Sequence, residues 1–355
     1  MTDKRYRSVI NKAKGCFVAA EISANHGRSI DRAVKMIKEA KKCGADAVKF
    51  QTYTPDTLTI DSDNKYFRIK HPEWGGQTLY ELYKKAYTPW EWFKDLKKAA
   101  DREGILFFST AFDRSSVDLL EKLGVFCHKI ASFEAVDLPL IEYASRTKKP
   151  VIISTGMATR EEIAEAVSAA RRGGAREIVL LKCVSSYPAD PGEMNLRTIP
   201  DMAKTFRCPV GLSDHTLGTG VSVAAVAMGA VMVEKHFTLS RRHKTPDAFF
   251  SMEPREFRGL VDDIRSTERA LGGVHYGLTK KQKESLVFRR SLFAVKDIKK
   301  GERFTWENVR SIRPANGLKP GYLKEVLGKK AMKNIKKGTP LRWYLVEGRH
   351  EKAQK

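Results

Sequence analysis

The sequence has few of the features that mark secreted or membrane proteins. Its 355 residues contain only five cysteines, which stand singly and form no Cys-x-x-Cys pair. That pattern favours buried free thiols over a disulfide framework or a zinc site. No apolar run approaches the roughly 20 residues that a membrane helix needs, and no secretory signal core follows the basic first residues. We therefore expect a cytoplasmic protein with no membrane partner.

Acidic residues are scarce relative to basic ones, so that the net charge is +23 at pH 7. The excess is concentrated after residue 280. Such a charge is compatible with a solvated basic surface, with the steering of anionic small substrates, or with nucleic-acid binding. The basic residues are dispersed among acidic ones and no nucleic-acid-binding motif accompanies them. We therefore expect no nucleic-acid partner.

Eight short β-rich runs alternate with longer amphipathic stretches, and none of the runs is followed by Gly-x-Gly-x-x-Gly. The runs are residues 16–23, 47–52, 105–110, 127–132, 151–156, 178–184, 209–214 and 232–237. Strands that alternate with helices indicate parallel pairing and right-handed crossovers. Eight such repeats over about 250 residues predict an α/β fold of the closed (β/α)8 (TIM) barrel type, with a doubly wound open sheet as the alternative.

Helix starts within this pattern are indicated by short polar side chains. Ser29 and Thr159 each precede a helical stretch and are predicted N-caps, and a further helix is predicted to open at Ser115 or Ser116.

The sequence pattern of alternating strands and helices ends after residue 280. This predicts a barrel domain over 1–280, a basic linker over 281–290 and a small domain over 291–355. Within the small domain, residues 296–301 recur almost unchanged as residues 333–338, each copy ending in Lys-Lys-Gly. Two similar half-units predict a compact, turn-rich and pseudo-symmetric β-rich module.

Every predicted barrel strand ends in polar side chains, and the active site of such a barrel lies at the carboxyl ends of its strands. Lys49, Lys129 and Lys182 stand in otherwise apolar strands, where an ammonium group requires a counter-charge. A substrate phosphate or carboxylate would supply that charge, and so would internal pairing with a glutamate. The candidate glutamates are Glu21, Glu134 and Glu234, and the hydroxyl groups placed to assist with an anion are those of Ser132, Ser154 and Ser213.

His215 and His236 follow the seventh and eighth strands, close in sequence to acidic residues. A single histidine is more often structural, whereas two at adjacent strand ends predict a divalent metal site. A site with two imidazoles and open positions suits Mn²⁺, with Mg²⁺ or Co²⁺ as alternatives, completed by water and substrate.

Several of these segments closely resemble the sialic acid synthase family in the same order. The matching segments are residues 20–27, 44–59, 129–134, 150–159, 211–218 and 234–239. The region from Phe288 to Leu341 resembles that family's antifreeze-like (SAF) domain. The segments 65–69 and 78–93 are similar to the pseudaminic acid synthase branch of the family.

The resemblance implies a role for each matching residue. Phosphoenolpyruvate would be held by Lys49, Thr110, Lys129, Ser132, Ser154, Ser185 and Ser213. The sugar would be held by Gln51, Tyr187, Asp247 and, from the other subunit of a domain-swapped homodimer, Arg313. The catalytic groups would be Glu21, Glu134 and Lys129, and the metal ligands His215 and His236.

The resemblance also implies the reaction, that of a transferase forming a carbon–carbon bond from phosphoenolpyruvate. The enzyme would condense phosphoenolpyruvate with open-chain 2,4-diacetamido-2,4,6-trideoxy-L-altrose and water, giving pseudaminic acid and phosphate by C–O cleavage. One alternative is an N-acetylneuraminate or legionaminate synthase acting on a mannose-type amino sugar. The alternative from another class is a Schiff-base pyruvate aldolase with Lys129 or Lys182 as nucleophile.

Overall fold

The computed structural model describes residues 15–70 and 74–348. The chain divides into two compact units, Met1–Gly272 and Gly273–Lys355. In the first unit eight parallel strands pair in sequence order, and the last pairs with the first to close a barrel. The (β/α)8 prediction is therefore confirmed, while the predicted domain limits at residues 280 and 290 stay predictions.

The barrel alternates strands with helices. The strands are β1 (Phe17–Glu21), β2 (Ala47–Thr52), β3 (Leu106–Ala111), β4 (His128–Ile130), β5 (Val151–Ser154), β6 (Ile178–Cys183), β7 (Val210–Asp214) and β8 (Met232–His236). The helices of this unit are α1 (Ile30–Lys42), α2 (Pro55–Leu58), α3 (Leu79–Ala86), α4 (Phe93–Glu103), α5 (Arg114–Lys122), α6 (Leu138–Ser145), α7 (Arg160–Gly173), α8 (Thr198–Phe206), α9 (Gly220–Ala227) and α10 (Pro254–Leu271).

Side chains alternate between the two faces of each strand, as the period of two requires. One set packs between barrel and helices, for example Val18 and Ala20 of β1. The other set fills the barrel interior with apolar residues, among them Phe17, Phe108 and Met232. Toward the carboxyl ends these inward positions become polar, so the apolar interior forms the floor beneath a polar site.

The predicted caps of two helices are confirmed and one is wrong. Ser29 accepts a hydrogen bond from the Arg32 backbone N–H at the start of α1, and Thr159 caps α7. Helix α5 begins at Arg114 rather than at Ser115 or Ser116, because the Asp113 carboxylate accepts from the Ser116 backbone N–H at 3.0 Å. A carboxylate is as good a cap as a hydroxyl and favours the positive end of the helix.

The second unit contains strands β9 (Ser291–Ala294) and β10 (Val309–Ile312), which pair antiparallel, and short helices α11 (Lys280–Glu284) and α12 (Leu323–Val326). Its two near-repeats pair with each other. Ile298 and Ile335 exchange backbone hydrogen bonds of 2.8 Å in both directions and are buried in one core. Asp297 accepts from the Lys337 N–H, and Asn334 accepts from the Lys300 N–H. These reciprocal contacts confirm the predicted pseudo-symmetric module.

All five cysteines are free and buried, as predicted from their single placement. Among the described residues, no helix has the length and apolarity that crossing a bilayer requires.

Candidate active site

A buried lysine joins the carboxyl ends of β1, β2, β3 and β8. Lys49 Nζ lies 3.0 Å from Glu21 Oε2 and 3.4 Å from Glu234 Oε1, and it donates to Thr110 Oγ1 at 2.9 Å. The register explains these contacts, because Glu21 lies opposite Lys49 on one side and opposite His236 on the other. Burial lowers the pKa of Lys49, but the two carboxylates outweigh it and hold the pKa above its ordinary value. Internal pairing therefore keeps Lys49 charged.

The two glutamates that face Lys49 differ in their protonation. Burial, together with the charge of Glu234, raises the pKa of Glu21 to about 7 against the opposing effect of Lys49. Burial also raises the pKa of Glu234, but Lys49 and Lys129 outweigh it, so its pKa lies below the ordinary value. Among the described residues, one carboxylate oxygen of each has no hydrogen-bond partner. Glu21 Oε2 is still ion-paired with Lys49, so Glu234 Oε2 is the spare acceptor of this pair at the barrel axis.

Lys129 and a set of serine hydroxyl groups form a second polar group on β4, β5 and β6. Lys129 is 1% exposed and donates to Ser154 Oγ at 2.6 Å and to the Ile130 carbonyl at 2.8 Å. Its pKa falls to about 8, chiefly because burial disfavours the charged form. The Gly156 N–H donates to Ser132 Oγ at 3.1 Å. A Cβ at Gly156 would collide with the hydroxyl groups of Ser132 and Ser185, so this glycine lets donors converge as an anion site requires.

Both predicted metal ligands face one another at the ends of β7 and β8. The ring centroids of His215 and His236 are 5.4 Å apart. His215 Nδ1 lies 2.9 Å from the Val184 carbonyl, and donation to that oxygen leaves Nε2 with a free lone pair. His236 Nδ1 is buried and, among the described residues, without a hydrogen-bond partner. Burial holds the pKa of His236 well below its ordinary range, which keeps the imidazole neutral as a metal ligand must be.

These two imidazoles fit the predicted open metal site. Within residues 15–70 and 74–348, no group of three or more His, Cys, Asp or Glu side chains forms a metal cage. Water and substrate would therefore supply the other ligands, as in catalytic rather than structural sites.

One cysteine has an environment that sequence reasoning missed. Cys183 Sγ lies 3.8 Å from His215 Nδ1 and 3.9 Å from Ser185 Oγ. Burial raises the pKa of its thiol, but His215 outweighs this and the pKa falls to about 7. The sequence signal was the inward parity of Cys183 on β6, which it shares with Val179 and Leu181.

That same parity corrects the expectation for Lys182. Leu180 packs on the helix side of β6 and Leu181 in the barrel interior, so Lys182 lies on the helix side. Its Nζ donates to the Cys183 carbonyl at 3.2 Å. Lys182 therefore does not share a compartment with Lys49 and Lys129, since strand residues of opposite parity face opposite ways.

A cleft of about 370 Å³ opens beside the buried polar groups. Five of the predicted site residues line it: Gln51, Glu134, Tyr187, His236 and Asp247. Gln51 Nε2 donates to Glu21 Oε1 at 2.9 Å and to Ser23 Oγ at 3.0 Å, and Ser23 Oγ donates to Asp247. Tyr187 packs against His215 with ring centroids 4.3 Å apart. The cleft thus connects the predicted sugar-binding residues with the two imidazoles.

Glu134 stands out among the residues of this cleft. Burial raises its pKa to about 7 in spite of the opposing charge of Lys129, and one of its oxygens lacks a hydrogen-bond partner within the described part of the chain. A carboxyl group poised near neutral pH can take up or release a proton during turnover.

A larger cavity, of about 1000 Å³, opens elsewhere and is lined by loops that precede β3 to β6. Its cations are partly neutralised, since Lys97 pairs with Asp101 and Lys149 with Glu121. It lies at the amino ends of the strands, where the residues of such a barrel serve stability rather than chemistry, so we place the active site in the smaller cleft.

The structure brings together nearly all the predicted site residues. Ser213 Oγ donates to Glu234 Oε1 at 3.3 Å, which joins it to the Lys49 group. Arg313 lies exposed after β10 in the second unit, and its role stays a prediction. Sequence reasoning missed the apolar lining of the cleft, including Tyr53, Trp74 and Phe112.

Comparison with family models and relatives agrees with this architecture. A model of the NeuB family matches residues 36–276, and a model of the SAF domain matches residues 289–347. A pseudaminic acid synthase of Campylobacter jejuni subsp. jejuni is 46% identical over 332 residues, covering 94% of this chain and 97% of the relative. One from Helicobacter pylori is 43% identical over 325 residues, covering 91% and 96%.

A solved structure shares the fold. The crystal structure of an N-acetylneuraminic acid synthetase from Leptospira borgpetersenii, in complex with citrate, is 33% identical with a TM-score of 0.68. The match covers 77% of this chain and 90% of that one.

Proposed function

Because the chain belongs to the NeuB family, we propose that it is a pseudaminic acid synthase. It condenses phosphoenolpyruvate with open-chain 2,4-diacetamido-2,4,6-trideoxy-L-altrose and water, and releases phosphate. Three relatives above 40% identity carry the name of this activity. The observation that carries the proposal is one cleft in which His236, Glu134 and Asp247 lie next to the buried lysine and serine groups.

Phosphoenolpyruvate binds at the strand ends that carry Lys49 and Lys129. Its phosphate and carboxylate take hydrogen bonds from these ammonium groups and from the hydroxyl groups around Gly156. Lys129 is the stronger candidate for this contact, because the oxygens to which it donates within the protein are neutral. Donors fixed before substrate arrives stabilise charge that develops in the transition state without reorganising.

His215 and His236 would hold a divalent ion, with Mn²⁺ proposed and Mg²⁺ or Co²⁺ as alternatives. Their spacing and the unpartnered Nδ1 of His236 among the described residues support this assignment. The ion would supply Lewis-acid polarisation of the sugar carbonyl.

Gln51, Tyr187 and Asp247 position the sugar so that its C1 carbonyl faces C3 of phosphoenolpyruvate. The C3–C1 bond forms, and water adds at C2. Glu134 accepts the proton of this water, since its raised pKa makes it a base at the pH of the cell. Glu21, with its pKa of about 7, supplies the proton that the former aldehyde oxygen takes up as the C3–C1 bond forms. The bond between C2 and the bridging oxygen then breaks, that oxygen leaves with phosphate, and the phosphate takes the proton of the C2 hydroxyl group as the ketone forms.

We further propose a domain-swapped homodimer in which Arg313 of each chain completes the sugar site of the other. Large apolar side chains on loops at the carboxyl ends of the strands support a covering surface: Phe133 is 60% exposed and Leu217 61% exposed. Five unpaired cysteines suit a reducing compartment, which supports the cytoplasm.

The test is release of phosphate from phosphoenolpyruvate with a panel of sugars. The panel contains the diacetamido altrose, the corresponding gulose- and mannose-type amino sugars, and N-acetylmannosamine, each with Mn²⁺ and with chelator. We expect turnover with the altrose sugar and loss of turnover with chelator. Turnover with N-acetylmannosamine alone would contradict the proposed substrate.

The rival aldolase has one observation in its favour, which is the pKa of about 8 at Lys129. A Schiff-base enzyme uses pyruvate and is trapped covalently by borohydride. Incubation with pyruvate and borohydride should leave the mass of the protein unchanged. A stable adduct on Lys129 would overturn the proposed mechanism.

A further inference from the structure

Helix α3 presents an apolar stripe to the cleft instead of to the protein core. Leu79, Leu82, Tyr83 and Ala86 follow the spacing i, i+3, i+4 and i+7, which places them on one face of the helix. All four line the cleft, and none of the eight residues of α3 is buried. A helix of this pattern normally packs its stripe against the core, whereas this stripe is only half-buried, with Tyr53 against Tyr83, and otherwise faces the cleft.

The helix is held in place at its start and through the ring of Tyr83. Thr78 and Glu81 form a reciprocal capping box at its start, and the Leu79 N–H donates to the Phe67 carbonyl at 2.8 Å. The ring of Tyr83 packs edge-on against Tyr53 with centroids 5.6 Å apart. The stripe is therefore a preformed wall.

The contacts that follow α3 reach back to the segments after β1 and β2. Thr88 Oγ1 lies 3.0 Å from His26 Nε2, and Trp90 Nε1 donates to the Tyr53 carbonyl at 3.2 Å. Before α3, Trp74 Nε1 donates to the Pro246 carbonyl at 3.0 Å, and its ring packs on Tyr187. Both ends of the wall are thus held by contacts with residues near the predicted sugar-binding side chains.

The cleft has chemically distinct sides. His236 at the end of β8 and Asp247 in the loop after it are polar, whereas α3, Leu58 and Ile69 contribute an apolar side. Its volume of about 370 Å³ suits one small ligand. If the carbonyl at C1 faces His236, the carbon farthest from it must face the apolar side.

We propose that the stripe of α3 binds the methyl group at C6 of the sugar and thereby selects 6-deoxy substrates over those with a hydroxyl group at C6. The inference rests on the proposed function and adds the residues that choose among its sugars. A hydroxyl group against this wall would lose its hydrogen bonds to water without regaining them. Apolar pockets discriminate against one added hydroxyl by roughly 100-fold at most.

The test compares two sugars that differ at one atom. These are 2,4-diacetamido-2,4,6-trideoxy-L-altrose and the same sugar with a hydroxyl group at C6. The ratio of their kcat/KM values is measured for the wild-type protein and for Leu82→Asn, which keeps the size of the side chain but makes it polar. Leu82→Met is the conservative variant, and Tyr66→Ser is the control because Tyr66 is 78% exposed and lies outside the cleft lining.

We expect the wild-type protein to prefer the 6-deoxy sugar by about 10- to 100-fold. Leu82→Asn should lower this ratio about tenfold or more, mainly through the KM of the 6-deoxy sugar, while the KM of phosphoenolpyruvate stays constant. Leu82→Met and Tyr66→Ser should keep the wild-type ratio, and thermal melting should confirm that every variant is folded.

The outcomes separate the two proposals. If neither of the two sugars supports phosphate release by the wild-type protein, the proposed function itself is overturned. Turnover with an unchanged ratio in Leu82→Asn would overturn the role of α3 alone. An equal loss with both sugars would likewise contradict binding of the C6 methyl group by this wall.

Discussion

Glu134 combines a proposed catalytic role with a cost to stability. The folded protein raises its pKa from 4.5 to about 7, chiefly by burial. Between those values the folded state binds more protons than the unfolded state, so the free energy of unfolding falls as pH rises through this window. Glutamine does not titrate. We therefore expect the stability of Glu134→Gln relative to wild type to increase by on the order of 1–3 kcal/mol as the pH rises from 5 to 8, measured by urea unfolding.

The same substitution should remove activity, because the glutamine amide could not accept a proton from water. In the wild-type protein, kcat/KM should rise with pH through about 7, and this acidic limb should be absent from any residual activity of the variant. Glu165→Gln, on the exposed face of α7, provides the baseline for both measurements. Equal stability differences at pH 5 and pH 8 would show that Glu134 does not carry the raised pKa.

His236 is the residue on which the proposed metal site depends most directly. His236→Ala should weaken Mn²⁺ binding by more than the roughly 10- to 100-fold that loss of an outer-shell partner costs. Electron paramagnetic resonance of free Mn²⁺ measures this directly, and activity should nearly vanish with it. His243→Ala is the control, because His243 is exposed on the loop after β8. Retention of tight Mn²⁺ binding by His236→Ala would contradict the assignment.

At this scale the sequence identified the chemical groups better than their orientation. Lys49 and Lys129 face inward, but Lys182, on another strand, faces the helices. The alternation of strand residues was sufficient to separate these cases once an inward apolar residue, such as Leu181, was identified. The pKa of Cys183 could not be predicted in this way, because it depends on His215, which is distant in sequence.

Among the elements, the Lys-Lys-Gly turns of the second unit can be compared with a helix. Glycine-to-alanine substitution should lower stability in such a turn and raise it inside the helix. Gly301 has φ 82° and Gly338 has φ 86°, a region that disfavours a Cβ. Gly301→Ala should cost about 1–2 kcal/mol of stability in the second unit, because no contact compensates for the strain. Gly259 lies inside helix α10, where alanine should instead stabilise by about 0.5–1 kcal/mol.

Calorimetry of the full chain measures both changes, since separate units can unfold in separate transitions. Gly338→Ala should behave as Gly301→Ala does, because the two turns are related by the pairing of Ile298 with Ile335. A stabilising effect of alanine at either turn would contradict the left-handed conformation.

Elements with a strong repeating pattern were predictable, and those defined by the cleft were not. The barrel strands and the caps Ser29 and Thr159 follow from local chemistry. Helix α3 has an equally regular stripe, but its role depends on a space enclosed by distant segments. The cap of α5 was misplaced because Asp113 and Ser115 offer competing oxygen atoms within one turn.

At the scale of the whole molecule, the proposed dimer makes a prediction for mixtures of inactive variants. His236→Ala removes a proposed metal ligand from the barrel, and Arg313→Ala removes the proposed sugar-binding arginine from the second unit. In a swapped dimer of one chain of each kind, one site combines an intact barrel with an intact arginine. Co-expression should therefore restore about a quarter of wild-type activity, since half of the dimers are mixed and each has one good site.

The control is His236→Ala co-expressed with Lys129→Met, because both changes lie in the barrel and each mixed dimer then lacks an intact barrel. Light scattering should give the mass of a dimer for every pair. Absence of recovery with Arg313→Ala, in a dimer of normal mass, would contradict exchange of the arginine between subunits.

The barrel could be predicted from the sequence because eight strand–helix repeats have few other ways to close. The exposure of apolar side chains such as Phe133 and Leu217 could not be predicted, because isolated loop residues carry no periodic signal; the proposed dimer came from the family resemblance alone. The basic excess of the second unit is likewise compatible with several partners.

The proposed chemistry requires the inward lysine and serine groups to hold phosphoenolpyruvate so that C3 reaches the sugar carbonyl and C2 is left to water. Phosphoenolpyruvate labelled with oxygen-18 at the bridging position tests this most directly, with mass spectrometry of both products. We expect the label to appear in inorganic phosphate and its release to require the sugar. Label retained in the carbon product, or phosphate released at the same rate without sugar, would contradict it.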